Sequence, residues 1–302
     1  MISPKPPAPA DPRVYRPRRK PVTIAIGFAC DEGLLFCADT KVSTNIKTNE
    51  NKLEHWISED KNCSITFAMS SSDLNFPRTA IQKCWEYVRH MDFATATLDT
   101  VHAAAEFSLA EFYRDHIFPH PDRTPGAVFL ELLVGIWLRG ETRLYVSHET
   151  VLNEVDHYEC IGSGAYLAKY LMRQYKRATS GHPFARETRS LQDAALIAEF
   201  VVQRAIDYDE YCGGEPEMFI VKDSGKVDSI CPSMLYPGIQ YIEMLQMRLW
   251  KLIHDLAQIK DNYETRSQLV VENYCAGIKI LNQSCEPMFE NLRTAQKANR
   301  WD

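Results

Sequence analysis

The chain has 302 residues, 45% of them hydrophobic and 25% charged, with a formal net charge of −6 at neutral pH. That is enough apolar material for one sizeable core, and the acidic balance argues against general nucleic-acid or anionic-membrane binding. No apolar run reaches the roughly 20 residues needed to cross a bilayer, and the nine cysteines, odd in number and without a CxxC pair, read as reduced thiols of a cytoplasmic protein.

Residues 1–22 form a first segment, a tail or propeptide with prolines at 4, 6, 7, 9, 12, 17 and 21 and the basic cluster Arg16, Arg18, Arg19 and Lys20. Such a segment favours extended, solvated conformations and builds no core. Two short apolar runs follow, Val22–Ala29 and Leu34–Asp39, flanking Asp31-Glu32-Gly33. They predict a β-hairpin with its glycine at the turn. Antiparallel pairing then sets the start of one strand beside the end of the other, making Thr23 and Asp39 neighbours.

Beyond a polar stretch at 41–51, Lys52-Leu53-Glu54-His55-Trp56 and Cys63–Met69 read as strands, and the serines and Asp73 after them as a helix start. Apolar residues at helical spacing predict helices over 73–91 and 97–117. Val128–Leu138 and Leu144–Ser147 make a second hairpin, and His157–Ile161 leads into Gly162-Ser163-Gly164. Helices over 165–177 and from a Ser190 cap to Asp207 come next, then strands at Met218–Val221 and up to Ile230. Strands and helices come in blocks, which fits an α+β fold better than a doubly wound parallel sheet. The expected architecture is a four-layer αββα sandwich of two antiparallel sheets.

Prolines 232 and 237 mark a boundary, so that 23–231 is one domain and 232–302 a C-terminal extension. Ile239–Ile259 has the spacing of a long amphipathic helix, and 264–297 reads as a second, interrupted at Pro287. The expectation is a helical hairpin that caps its own domain or contacts another subunit.

From about Val22 to Val227 the chain resembles the proteasome β-type subunits and the related bacterial ATP-dependent peptidase, both N-terminal nucleophile hydrolases. The resemblance rests on motifs in order: Thr23, Asp39 sixteen residues later, Lys52-Leu53, Gly162-Ser163-Gly164, and Asp209-Glu210-Tyr211-Cys212-Gly213-Gly214 for Asp-x-x-Ser-Gly-Gly. It implies a threonine peptidase in which Thr23 is the nucleophile, Lys52 tunes its amine and Asp39 orients Lys52. Ser163, Asp209 and Cys212 would position the amine, and backbone N–H groups at Met69 and Gly164 would serve the oxyanion and substrate. No metal or cofactor is expected. The implied partners are a polypeptide substrate, like subunits in a ring and an ATP-dependent unfoldase.

The chemistry behind such a set is general. A hydroxyl needs a base to become a nucleophile, and the α-amine of an N-terminal threonine, with an ordinary pKa of about 7.7–8.0, can be that base. An amide nitrogen cannot, so the Val22–Thr23 bond must first be cut; the resemblance implies that this cut is autocatalytic, by attack of Thr23 on the preceding carbonyl. The family usually has glycine before the threonine, glycine where Met69 stands, and serine where Cys212 stands. These departures leave two alternatives open, a non-catalytic proteasome-like subunit and an amide hydrolase or ligase acting on a small substrate.

Overall fold

The computed structural model describes residues 23–43, 47–71, 73–119, 130–179, 190–230, 235–258, 266–281 and 283. The proline-rich segment with Val22, the loop histidines 120 and 182, Pro232 and everything after 283 lie outside the described residues.

The labelled elements among the described residues are, in chain order, β1 (Ala25–Cys30), β2 (Gly33–Ala38), β3 (Lys41–Ser43), β4 (Lys47–Asn49), β5 (Leu53–Ile57), β6 (Cys63–Ser71), α1 (Asn75–Val88), α2 (Leu98–Phe112), β7 (Leu130–Leu138), β8 (Glu141–His148), β9 (Val151–Glu154), β10 (Tyr158–Ile161), α3 (Ala165–Thr179), α4 (Leu191–Tyr208), β11 (Glu217–Lys222), β12 (Val227–Ile230) and α5 (Tyr236–Ala257). One antiparallel sheet has the order β10-β1-β2-β11-β12 and a second β5-β6-β7-β8-β9, with β3-β4 as a separate ribbon.

The period-2 alternation of β1 and β2 separates the layers. Ile24, Ile26, Phe28, Leu35 and Cys37 pack against α3 and α4, together with Met218 and Ile220. Ala25, Leu34, Phe36 and Ala38 face the other sheet, meeting Ala68, Leu133 and Leu144. The far side of that second sheet buries Ile65, Phe67, Leu132 and Ile136 under α1 and α2. This is the expected αββα sandwich. Gly135 on β7 makes the sheet-to-sheet contact possible, because a Cβ there would lie 2.6 Å from the Phe36 ring.

Three local expectations need correction. The predicted helix over 97–117 is α up to Phe112 and then a π-helical turn, Tyr113–Ile117. The polar stretch after Asp39 carries the β3-β4 ribbon, and β9 pairs with β8 through only four residues. Neither has enough apolar alternation to show as a strand in sequence. The Ser190 cap is present, its hydroxyl accepting the Asp193 N–H at 3.1 Å.

Beyond β12 the described residues are mainly helical. α5 rests on α4 through Gly238 against Leu196, the buried Ile239 and an Arg204–Glu243 ion pair. Residues 266–281 form a second helix, and its Gly277 lies against Arg248 of α5.

Candidate active site

The β1-β2 register pairs Ala25 with Ala38, which carries Ile24 and Asp39 to the open end of the hairpin. There the Asp39 N–H donates to the Ile24 carbonyl at 3.1 Å, and the Ile24 N–H returns a bond to Asp39 Oδ1 at 3.0 Å. Asp39 thus binds the residue after Thr23 and fixes the direction in which Thr23 leaves the strand.

The same carboxylate takes two further donors. Lys52 Nζ lies 2.7 Å from Oδ1, and the Gly213 N–H donates to Oδ2 at 2.9 Å. Asp39 and Lys52 are both fully buried. Burial draws each toward its neutral form, Asp39 upward and Lys52 downward, while their mutual attraction and the N–H donors oppose this.

Thr23 is held by its backbone. Its N–H donates to Ser163 Oγ at 3.4 Å, and its carbonyl accepts from Ser163 Oγ at 3.3 Å and from the Gly164 N–H at 3.1 Å. Gly162 has φ +93°, and a Cβ there would collide with the Thr23 carbonyl. Only glycine fits, by conformation and by space. The Thr23 hydroxyl is fully buried and, among the described residues, has no hydrogen-bond partner.

Cys212 lies behind Ser163, with Sγ 3.9 Å from Oγ, and burial pushes its thiol up to about 12. It is a neutral thiol and a weak donor. Asp209 makes its bonds within its own turn. Its Oδ1 accepts the Tyr211 N–H at 2.9 Å and its carbonyl accepts the Cys212 N–H at 3.0 Å. Asp209 therefore shapes the turn that delivers Cys212 and Gly213, and among the described residues makes no bond to Ser163 or Thr23.

The two backbone N–H groups expected to serve the oxyanion and substrate both have partners within the chain. The Met69 N–H donates to the Lys52 carbonyl at 3.0 Å, and the Gly164 N–H is the one bound to Thr23's own carbonyl. Both are occupied in this conformation. The Met69 side chain packs into the core under α1 and α2.

Four contributors carry no motif in the sequence. Lys41 Nζ donates to the carbonyls of Glu210 and Cys212 at 2.8 and 3.0 Å, and its N–H binds the Gly213 carbonyl at 2.9 Å. Thr40 Oγ1 donates to the Glu215 carbonyl at 2.9 Å. Residues 40–41 thus fasten the 209–215 turn to Asp39. Glu217, opposite Ala38 on β11, accepts the backbone N–H of Lys52, and burial raises its carboxyl. Glu131 of β7 accepts the Gly162 N–H at 2.9 Å. Only the closeness of Thr40 and Lys41 to Asp39 could have drawn attention to any of these. Among the described residues no group of three or more His, Cys, Asp or Glu could hold a metal ion, and no described helix is long and apolar enough to cross a membrane.

Similarities to known proteins agree with this geometry. Solved structures similar to the chain include an Anbu (Gly-1) mutant from Hyphomicrobium sp. strain MC1, with TM-score 0.61 and 15% identity over 79% of this chain and 98% of that one. Anbu from Yersinia bercovieri, described as an ancestral beta-subunit, gives 0.57 and 15% over 79% and 98%. A helical assembly of the Anbu complex from Pseudomonas aeruginosa gives 0.55 and 11% over 86% and 96%. At these identities the likeness shows the fold. No curated protein sequence matches the chain. The Proteasome subunit family matches residues 22–221, two thirds of the chain, and with the sandwich and the Thr23 hairpin this settles the family. The protein belongs to the proteasome subunit family and has the fold of a β-subunit-like N-terminal nucleophile hydrolase.

Proposed function

We propose that the protein is a threonine-type endopeptidase in which Thr23 becomes the N-terminal nucleophile after removal of residues 1–22. The observation that carries this reading is the Thr23 hydroxyl: fully buried, without a hydrogen-bond partner among the described residues, beside a turn that grips its own backbone. A buried hydroxyl left unpaired is costly and calls for an explanation, of which a catalytic role is one.

Once Val22–Thr23 is cut, the α-amine replaces the amide that now donates to Ser163 Oγ. The free amine takes the Oγ1 proton as Oγ1 attacks the scissile carbonyl. The Lys52 ammonium lowers the pKa of that amine and favours its free-base form near neutrality. Collapse of the tetrahedral adduct returns the proton to the leaving amine and gives an ester on Thr23. Water, deprotonated by the same amine, then releases the acid product. Asp39 keeps Lys52 charged and in place, and Ser163 orients the amine.

The substrate is polypeptide, and the protein acts in the cytoplasm within an assembly of like subunits supplied by an ATP-dependent unfoldase. The helical assembly described for the Anbu complex of Pseudomonas aeruginosa supports self-association. Steady-state hydrolysis of a mixed fluorogenic peptide library tests the reading. Wild type should turn over at least one substrate, and Thr23→Ala should lose at least about 10³-fold. Equal rates for the two proteins would refute it.

One observation favours a second reading, a non-catalytic subunit. The Met69 N–H, expected to serve the oxyanion, is bonded to the Lys52 carbonyl. Catalysis would require that bond to open or another donor to take over.

A further inference from the structure

The turn that grips Thr23 is itself held from the opposite sheet. Glu131 stands on β7, opposite Ser70 of β6, in the sheet that does not contain Thr23. Its Oε2 crosses the interface and accepts the Gly162 N–H at 2.9 Å. Gly162 has its φ at +93° and its Cα against the Thr23 carbonyl, and the next two residues supply both remaining contacts to that carbonyl. A single carboxylate thus ties the second sheet to the three-residue turn that sets where Thr23 lies.

We propose that Glu131 is a positioning residue, a carboxylate clamp from the second sheet that fixes the Gly162-Ser163-Gly164 turn and, through it, the backbone of Thr23. The catalytic consequence rests on the threonine-nucleophile reading; the clamp itself does not. A backbone N–H bonded to a charged acceptor makes one of the stronger hydrogen bonds available. Here it holds a turn whose Ser163 hydroxyl sits at the long end of hydrogen-bond distance from both Thr23 groups, 3.4 and 3.3 Å, where a small displacement breaks contact.

The surroundings fit a carboxylate held for this purpose. Burial raises Glu131, while the Gly162 N–H, Lys169 of α3 and His148 of β8 pull it back and Glu159 of β10 pushes it further. Tyr113, in the turn after α2, also interacts with it, and Lys169 itself pairs with Glu159 at 2.6 Å.

Hydrogen–deuterium exchange at residue resolution on the full chain tests the clamp without depending on catalysis. Glu131→Met keeps the shape and removes the acceptor, whereas Glu131→Gln keeps an oxygen able to accept the same N–H. The Gly162 and Gly164 amides should exchange about tenfold or more faster in Glu131→Met and stay within about threefold of wild type in Glu131→Gln. If Glu131→Met does not fold, Glu131→Asp replaces it: the charge remains, the reach shortens by one methylene, and Gly162 should lose protection. Unchanged exchange at Gly162 in both Met and Asp variants would overturn the proposal. Where wild type shows Thr23-dependent turnover, Glu131→Met should lower kcat about 10–100-fold with KM nearly constant, and Glu131→Gln should restore most of it. Faster exchange with an unchanged kcat would also overturn the role as a positioning residue. Absence of any Thr23-dependent turnover in wild type would sink the hydrolase reading, and the exchange result would still decide the clamp.

Discussion

Lys52 and Asp39 form an ion pair at 2.7 Å in which neither side chain reaches solvent. Residues thirteen apart in sequence meet because β2 ends and β5 begins at the same end of the two facing sheets. A pair this deep is sensitive to the loss of one member, because the other is left as an unpaired buried charge. Lys52→Met should therefore lower unfolding stability by about 3–5 kcal/mol. Chemical denaturation of the two proteins checks this, and a change below about 1 kcal/mol would mean that Asp39 is stabilised by its backbone donors alone.

Glu199, on α4 beside Cys37, is buried, its Oε2 without a partner among the described residues, and burial lifts its carboxyl from 4.5 to about 7. Its folded pKa is above its unfolded one, so the fold favours the protonated acid. That contribution is complete below about pH 4.5 and is lost as pH rises through about 7. Wild type should lose about 2–3 kcal/mol from this group between pH 4.5 and 8, and Glu199→Gln should not. Unfolding free energies of both proteins across that range measure the difference.

Gly162→Ala places a methyl group against the Thr23 carbonyl at a φ of +93°. The backbone strain alone costs roughly 1–2 kcal/mol, and the turn must also move away from Thr23. Thr23-dependent hydrolysis should fall by at least about 10-fold, more than the loss of folded protein explains. Thermal unfolding and active-site titration on the same preparation separate the two effects.

Cys212→Ser should be tolerated. The thiol is neutral, with its pKa near 12, and a hydroxyl in its place donates a stronger bond to Ser163. Hydrolysis should stay within about 3-fold of wild type or rise. A large loss would assign the sulfur a part beyond that of a hydrogen-bond donor.

How far the sequence reveals this site depends on what each residue does. Thr23 and Asp39 are legible because a two-strand hairpin has a definite register, and Ser163 because a Gly-Ser-Gly turn before a helix is local. The α1/α2 and α3/α4 pairs show through their apolar periodicity. Lys41, Glu131 and Glu217 are not legible, since each acts on a partner far along the chain and looks like an ordinary charge on a strand. The motif marks Asp209, but its bonds among the described residues, which shape the 209–213 turn, are not legible from the motif. The bond that occupies the Met69 N–H depends on where the β5-β6 ladder ends, and strand ends are poorly marked in sequence.

The central claim, that Thr23 is released as a nucleophile, is tested most directly by intact mass with N-terminal sequencing of the purified full chain. The account predicts a wild-type protein beginning at Thr23 and a Thr23→Ala protein that retains residues 1–22. A wild-type chain that keeps those residues after assembly with its own copies and prolonged incubation would contradict it.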